Sequence, residues 1–455
     1  MAVAVIRGTP GIAGLLVAEH TSSSTGGKGQ VLRQGGRARG LYRVFCGLLD
    51  RTKLCIGRYT SAIDPIGNPY TPGAGSRPPA LTGRDEEIEA FRVLLGRLRA
   101  GRPEKSMLVT GLRGVGKTVL LNTFEAIAEE AGFRSAKSEI THETEFRPLI
   151  ARLARRALLS ISPASRMRER ARQAAGVFKA FTLRTPEGFE IGVDVEALVG
   201  RGDSGDLGED LADLFVALGE AAVEHETGVV FLLDEVQFLA RGELEALIAA
   251  LHQVSQRELP LTLAGAGLPQ LPALTGAAKS YSERLFRFPA IERLPAQAAR
   301  DALELPARAA GVEYQRPATD RILDLTDGYP YFLQEYGKHV WNVAAGPAIT
   351  LTDVKRAHDL VQLELDESFF QVRIGRATQT ELDYLSAMAD LGDGPYRSGE
   401  IAAKLGRPAA ASVAPTRGRL IEKGLIYSPS YGLSEFAVPH FQGFIRRRFP
   451  LRDTT

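Results

Sequence analysis

Cysteine is nearly absent from this 455-residue chain: the only two are Cys46 and Cys55. That excludes a disulfide scaffold, and their spacing offers no zinc site, so a reducing interior is expected. Long apolar runs are missing as well. The stretch Met1 to Ala18 is interrupted by Arg7, Pro10 and three glycines, so it reads neither as a membrane span nor as a secretory leader. Charge of one sign is lacking too: 56 Lys and Arg face 54 Asp and Glu, a formal net charge of +2. Nothing in the total marks a polyanion-coating protein, although a local basic face stays open. With 44% apolar and 24% charged residues, the expectation is a cytoplasmic globular chain of two or three domains with no membrane association.

What is present begins with "GLRGVGKTVL", directly after the apolar run Met107-Leu108-Val109. Gly111, Leu112, Arg113, Gly114, Val115, Gly116, Lys117 and Thr118 match the Walker A phosphate-binding pattern between a strand and a helix. Glycines let backbone amides curl around phosphate oxygens, and the following helix offers its amide-rich N-terminus to the anion. Lys117 would neutralise the β- and γ-phosphates of ATP, and the Thr118 hydroxyl would coordinate Mg²⁺. Downstream, "GVVFLLDEVQFL" places five apolar residues, Val229 to Leu233, in a strand buried on both faces, with Asp234 and Glu235 at its carboxyl end. This is the Walker B arrangement. Asp234 would share the Mg²⁺ shell with Thr118, and Glu235 would orient and deprotonate the attacking water.

The pattern along the chain divides it into four parts. Residues 1–65 lack periodicity and read as a flexible extension. Residues 66–294 read as an α/β core with a parallel sheet: a proline-rich approach, a helix capped by Thr82 or Gly83, helices near 119–131, 146–159 and 210–225, and strands near 133–140, 229–233 and 261–267. "FKAFTLRTPEGFEIGVDV" alternates around Pro186-Glu187-Gly188 and predicts a hairpin inserted at about 178–195. Residues 295–375 are helix-rich, and Tyr331, Phe332 and Trp341 there read as core. Residues 376–455 give three helices and a hairpin, the order of a winged helix-turn-helix.

These motifs resemble those of the AAA+ ATPases and the related STAND ATPases from Leu81 onward. "LTGRDEEIEAF" is similar to the box that helps enclose the adenine in those families, through Gly83, Arg84 and Glu87. Arg284, before a strand at Leu285 to Phe288, resembles an arginine finger acting on a neighbouring subunit of a homo-oligomer. Two departures stand out. The strand Leu261 to Gly267 ends in Gly265, Ala266 and Gly267, leaving no polar first sensor, which predicts slow hydrolysis. Tyr331 stands where many AAA+ proteins carry a second-sensor arginine, and Gly328-x-Pro330 resembles the STAND motif whose proline contacts the adenosine.

The resemblance implies a P-loop NTPase core, a helical lid and a winged helix, binding Mg·ATP and hydrolysing it slowly as a nucleotide-dependent switch. The alternative is an ATP-bound DNA-binding transcriptional regulator, or a replication-initiator-like loader, with little turnover. Ser412, Thr416, Arg419 and Lys423 fall on one polar stripe of the third C-terminal helix, with Arg446-Arg447-Arg448 beyond. Double-stranded DNA or a protein partner would engage the winged helix.

Overall fold

The computed structural model describes residues 63–451 apart from 74, 164, 166 and 184–194. The expected extension therefore lies, up to residue 62, outside the described residues, and so does most of the expected hairpin.

A five-stranded parallel sheet forms the centre, in the order β2-β3-β4-β1-β5. Its strands are β1 (Ser106–Thr110), β2 (Arg134–Glu139), β3 (Val229–Asp234), β4 (Leu261–Gly267) and β5 (Phe286–Arg287). Every residue of β1, β3 and β4 is buried, as expected of strands with helices on both faces. One layer holds α1 (Asp85–Arg99) and α2 (Lys117–Glu130), whose Phe91 and Phe124 stack at 4.2 Å. The opposite layer holds α3 (Phe146–Ile161), α4 (Glu169–Thr182), α5 (Leu207–Glu224) and α6 (Arg241–Gln256). Short helices α7 (Leu271–Ala278) and α8 (Ser282–Leu285) lead into β5.

Two local expectations are corrected. Phe178 to Thr182 is not a hairpin strand but the last turns of α4. Ala174, Val177, Phe178 and Phe181 bury one helical face, and the Arg147 guanidinium lies 4.5 Å from the Phe181 ring. Neither Thr82 nor Gly83 caps α1: the cap position is Arg84, and Thr82 instead donates its hydroxyl to Ala298 O at 2.8 Å.

Beyond the sheet, α9 (Ala296–Ala309), α10 (Arg316–Thr326), α11 (Pro330–Val343) and α12 (Leu351–Glu364) pack together, joined by the two-stranded parallel pair β6 (Glu313–Tyr314) and β7 (Ala348–Ile349). Trp341 and Phe332 are core, as expected, whereas Tyr331, expected with them, is only partly buried. The segment before α1 touches both this body and the sheet layer: Trp341 Nε1 donates to Asp64 O at 3.1 Å, and Asn122 of α2 donates to Gly75 O at 2.9 Å. A π-helical turn, Leu365–Phe370, continues α12 into α13 (Gln371–Ile374). The C-terminal region follows with α14 (Gln379–Asp390), β8 (Tyr396–Arg397), α15 (Ser398–Lys404), α16 (Ala414–Glu422), β9 (Ile426–Tyr427), β10 (Leu433–Phe436) and α17 (Phe441–Arg448). Its three strands form an antiparallel sheet in the order β8-β10-β9.

Candidate functional site

The loop from Gly111 to Gly116 connects the carboxyl end of β1 to the first turn of α2. Gly114 and Gly116 hold φ of +85° and +96°, a region an L side chain enters only with strain. At Gly111, a β-carbon would fall 2.4 Å from Ile291 O, so the close pass of the chain there also demands glycine. Val115 is buried and anchors the loop from beneath. The outcome is a concave backbone ending at a helix N-terminus, where amides lack intrahelical partners and favour an anion.

Lys117 is 6% exposed and donates from Nζ to Gly111 O and Leu112 O, both at 2.9 Å. Its pKa is lowered to about 8, chiefly by burial; Glu235 and Asp234 oppose the shift and Arg113 adds to it. A buried ammonium bonded only to carbonyls is matched to a polyanion.

Register carries Asp234, the last residue of β3, to the same edge of the sheet, opposite Glu139 of β2. Thr118 Oγ1 donates to Asp234 Oδ2 at 2.6 Å. A hydroxyl and a carboxylate so joined are hard oxygen donors of the kind that Mg²⁺ takes alongside phosphate and water. Glu235 follows with φ +56°, a left-handed conformation for a non-glycine residue, which turns its side chain across the loop. Arg113 Nη1 lies 3.4 Å from Glu235 Oε1, and Gln237 Nε2 donates to Glu235 Oε2. Burial, followed by the charges of Asp234 and Glu235, raises the pKa of Glu139 at the rim.

Gln237 escaped the sequence reading. Its Oε1 accepts from Leu268 N at 3.1 Å, and a β-carbon at Gly267 would come within 2.7 Å of it. The glycine end of β4, read in the sequence as a missing polar group, leaves room for this side chain from the neighbouring loop. The one available signal was a polar residue two positions beyond Glu235.

The remaining expected residues divide. Arg84 is buried and donates to Val115 O at 3.2 Å and Glu292 O at 2.5 Å, bracing the phosphate loop from behind. Gly83, at φ +66°, abuts α9, where its β-carbon would meet that of Ala298 at 2.8 Å. Pro330 opens α11, and Tyr331 N, next to it, donates to Gly114 O at 3.3 Å. Tyr331 thus lies against the loop, with its ring stacked on Phe369 at 4.5 Å. Arg284 is not brought to this cluster: it precedes Phe286, which pairs with Ser106 at the start of β1, whereas the loop follows the strand's other end. It is exposed.

The C-terminal region reaches the loop. Arg113 N donates to Ala437 O at 3.1 Å, and Leu112 packs with Leu268, Tyr427 and Ala437. Gly424 abuts the Arg113 guanidinium, with 2.6 Å between a built β-carbon and Nη2. On the polar stripe Ser412, Arg419 and Lys423 are exposed, but its two cations are not free. Arg419 Nε and Lys423 Nζ bond the two oxygens of Glu381 at 3.2 and 2.6 Å, Glu381 has no exposed side-chain surface, and Thr416 is buried. Val413 and Leu420 are buried, Ile421 is partly buried, and Pro415 lies in the first turn of α16. Arg446 and Arg447 are engaged by Ala389 O and Asp366. Among the described residues no helix is long and apolar enough to cross a membrane.

Comparison with known proteins places this geometry. A family described as "AAA ATPase domain" matches residues 80–264, and one described as "Domain of unknown function (DUF8462)" matches residues 367–445. No curated protein matches the chain. Among solved structures, the chain is similar to the Walker-type ATPase PABY2304 of Pyrococcus abyssi, at 16% identity and a TM-score of 0.51, over 80% of this chain and 96% of that one. Weaker likenesses are to the Aeropyrum pernix ORC1 protein solved in complex with DNA, at 16% identity, 82% and 94% coverage and a TM-score of 0.41, and to the Thermotoga maritima RuvB Holliday junction branch migration motor, at 16% identity, 80% and 96% coverage and a TM-score of 0.39. With the glycine-cradled loop, the Thr118–Asp234 contact and the parallel sheet behind them, residues 80–264 match an AAA ATPase domain and have the P-loop NTPase fold.

Proposed function

We propose that the chain binds Mg·ATP at this loop, hydrolyses it slowly to ADP and phosphate, and uses the nucleotide to set the position of its C-terminal region. Lys117 and the amides of the loop and of the first turn of α2 would hold the phosphates, with Thr118 and Asp234 holding Mg²⁺. When bound, Mg²⁺ would supply neutralisation of phosphate charge. Glu235 is the base that would orient water and take its proton. Arg84 and Pro330 are positioning residues, behind the loop and beside it.

The observation that carries the switch is the double role of Arg113. Its backbone N–H is bonded to Ala437 O of the C-terminal region, and its guanidinium neutralises Glu235. The same guanidinium abuts Gly424 of the C-terminal region, so a ligand that displaces it from Glu235 would press on that region and couple nucleotide state to C-terminal position. The pairing also leaves Glu235 gripped at both oxygens, in keeping with slow turnover.

The order of helices and the antiparallel sheet at residues 376–451 support a winged-helix reading of the C-terminal region, as a docking module. A protein partner is favoured over duplex DNA, because Arg419 and Lys423 are spent on Glu381. The test joins phosphate release by the purified chain, with and without duplex DNA at low salt, to hydrogen exchange in the ATP and ADP states. Turnover together with exchange that differs near Tyr427 and Ala437 is expected. Turnover with identical exchange refutes the switch; retention and stimulation by DNA would make DNA the partner.

A further inference from the structure

Arg373, on the short helix that follows the π-helical turn, matches no motif in the sequence. Its guanidinium carbon lies 3.8 Å from the centroid of the Phe369 ring, and its Nη1 donates to Phe369 O. Phe369 belongs to the wall of the phosphate loop: it stacks on Tyr331, which is bonded to Gly114, and a β-carbon at Gly114 would come within 3.9 Å of Phe369 Cζ. The guanidinium therefore sits about one ring away from the glycines of the loop.

Among the described residues Arg373 has no carboxylate within ion-pair distance. In this it matches Lys117: each is a cation withdrawn from water whose hydrogen bonds go only to backbone carbonyls. Each also stands in the field of Arg113, which repels it, and of Glu235, which attracts it. Burial first, and Arg113 next, lower the Arg373 pKa to about 10, so it stays charged at neutral pH. Arg113 is matched by Glu235 and Lys117 stands in the field of Asp234, so Arg373 is left, among the described residues, as the cation beside the loop with no carboxylate in ion-pair contact. A half-buried guanidinium in that setting is poised for a polyanion, and its planar fork suits phosphate oxygens.

Resting on the Mg·ATP reading above, we infer that Arg373 binds the terminal phosphate of ATP and so distinguishes ATP from ADP. Lys117 acts from within the loop, whereas Arg373 approaches from the Phe369 side, near Glu235, where the terminal phosphate must lie for Glu235 to direct water at it. The same turn touches the C-terminal helix, with Phe370 stacked on Phe444 at 5.1 Å and Asp366 paired with Arg447 at 2.8 Å. Engagement of Arg373 by the third phosphate would therefore pull on the segment that carries α17.

Calorimetric titration of the full chain with Mg²⁺ and either ADP or the non-hydrolysable β,γ-imido analogue of ATP tests this. Arg373→Ala is expected to weaken the ATP analogue by about ten- to a hundredfold, the range for one charge-assisted phosphate contact, and ADP by less than about twofold. Arg373→Lys is expected to recover part of the difference. Unchanged ADP binding shows that the variant is folded at the site, because lost packing on Phe369 would weaken both nucleotides together. Equal loss for both nucleotides, or no loss for either, overturns the inference while the parent reading stands. Failure of the unsubstituted chain to bind either nucleotide overturns the parent reading, and this inference with it.

Discussion

Raising the pH should weaken nucleotide binding through Lys117. In the nucleotide-free protein its ammonium is buried and its pKa is lowered to about 8, mainly by desolvation. Phosphates at 117 favour the charged form and raise that pKa towards or beyond its ordinary value, so above about pH 8 binding must take up a proton. With a free-state pKa of about 8, roughly one lysine in ten is protonated at about pH 9, and affinity for Mg·ATP should fall about tenfold between about pH 7 and 9. The stability of the free protein moves oppositely. The unfolded chain binds more protons at this lysine between about pH 8 and its ordinary pKa, so the penalty for burying the charge is relieved as pH rises through that window. Calorimetry in two buffers of different ionisation enthalpy counts the proton, and Lys117→Arg should flatten the profile because a guanidinium does not titrate there. Flat affinity across the range, with no proton taken up by the unsubstituted protein, would refute the assignment of Lys117 as a buried phosphate ligand.

Glu235→Gln should keep Mg·ATP bound and reduce turnover at least about a hundredfold, since the amide preserves shape and removes the base; phosphate release at the parent rate would exclude Glu235. Arg284→Ala should lower turnover only at concentrations where the chain self-associates, because Arg284 stands at the far end of β1 from its own loop; an effect in the monomer, seen by sedimentation and phosphate release together, contradicts action in trans. Glu381→Gln should destabilise the protein by about 2 kcal/mol, below the roughly 3–5 kcal/mol of a fully buried broken pair because Arg419 and Lys423 reach solvent, read as a shifted denaturation midpoint. Burial alone would raise the Glu381 pKa, but bonds from Lys423 and Thr378 hold it below the usual carboxylate range, so its contribution is present at neutral pH and is lost as pH falls through that lowered value.

The glycine loop and the acidic strand end were legible because their geometry is local. Glycines at 114 and 116 are required by positive φ within the loop, and Lys117 and Thr118 lie at the start of the helix that the loop feeds. The apolar run Val229 to Leu233 suited a strand buried on both faces, and Asp234 ends that strand. The hairpin reading was ambiguous on the same grounds: "FKAFT" satisfies alternation and helical spacing alike, and only packing against the α3 and α5 layer decides for helix through Thr182.

What the sequence by itself determined, then, is the phosphate loop, the acidic strand end and the parallel sheet between them, since each depends on backbone geometry and on periodicities of a few residues. Only the tertiary structure decided which charges are spent and which are free. Arg419 and Lys423 look like an unpaired basic stripe until α14 buries Glu381 beneath them, and Arg373 looks unremarkable until the fold brings the Phe369 ring it covers up to Gly114. Arg113 meets Glu235 and Ala437 across more than a hundred residues of intervening chain in each case. The worth of a charged side chain depends on its desolvation and on its partners, and both are properties of the fold, which no local spacing encodes.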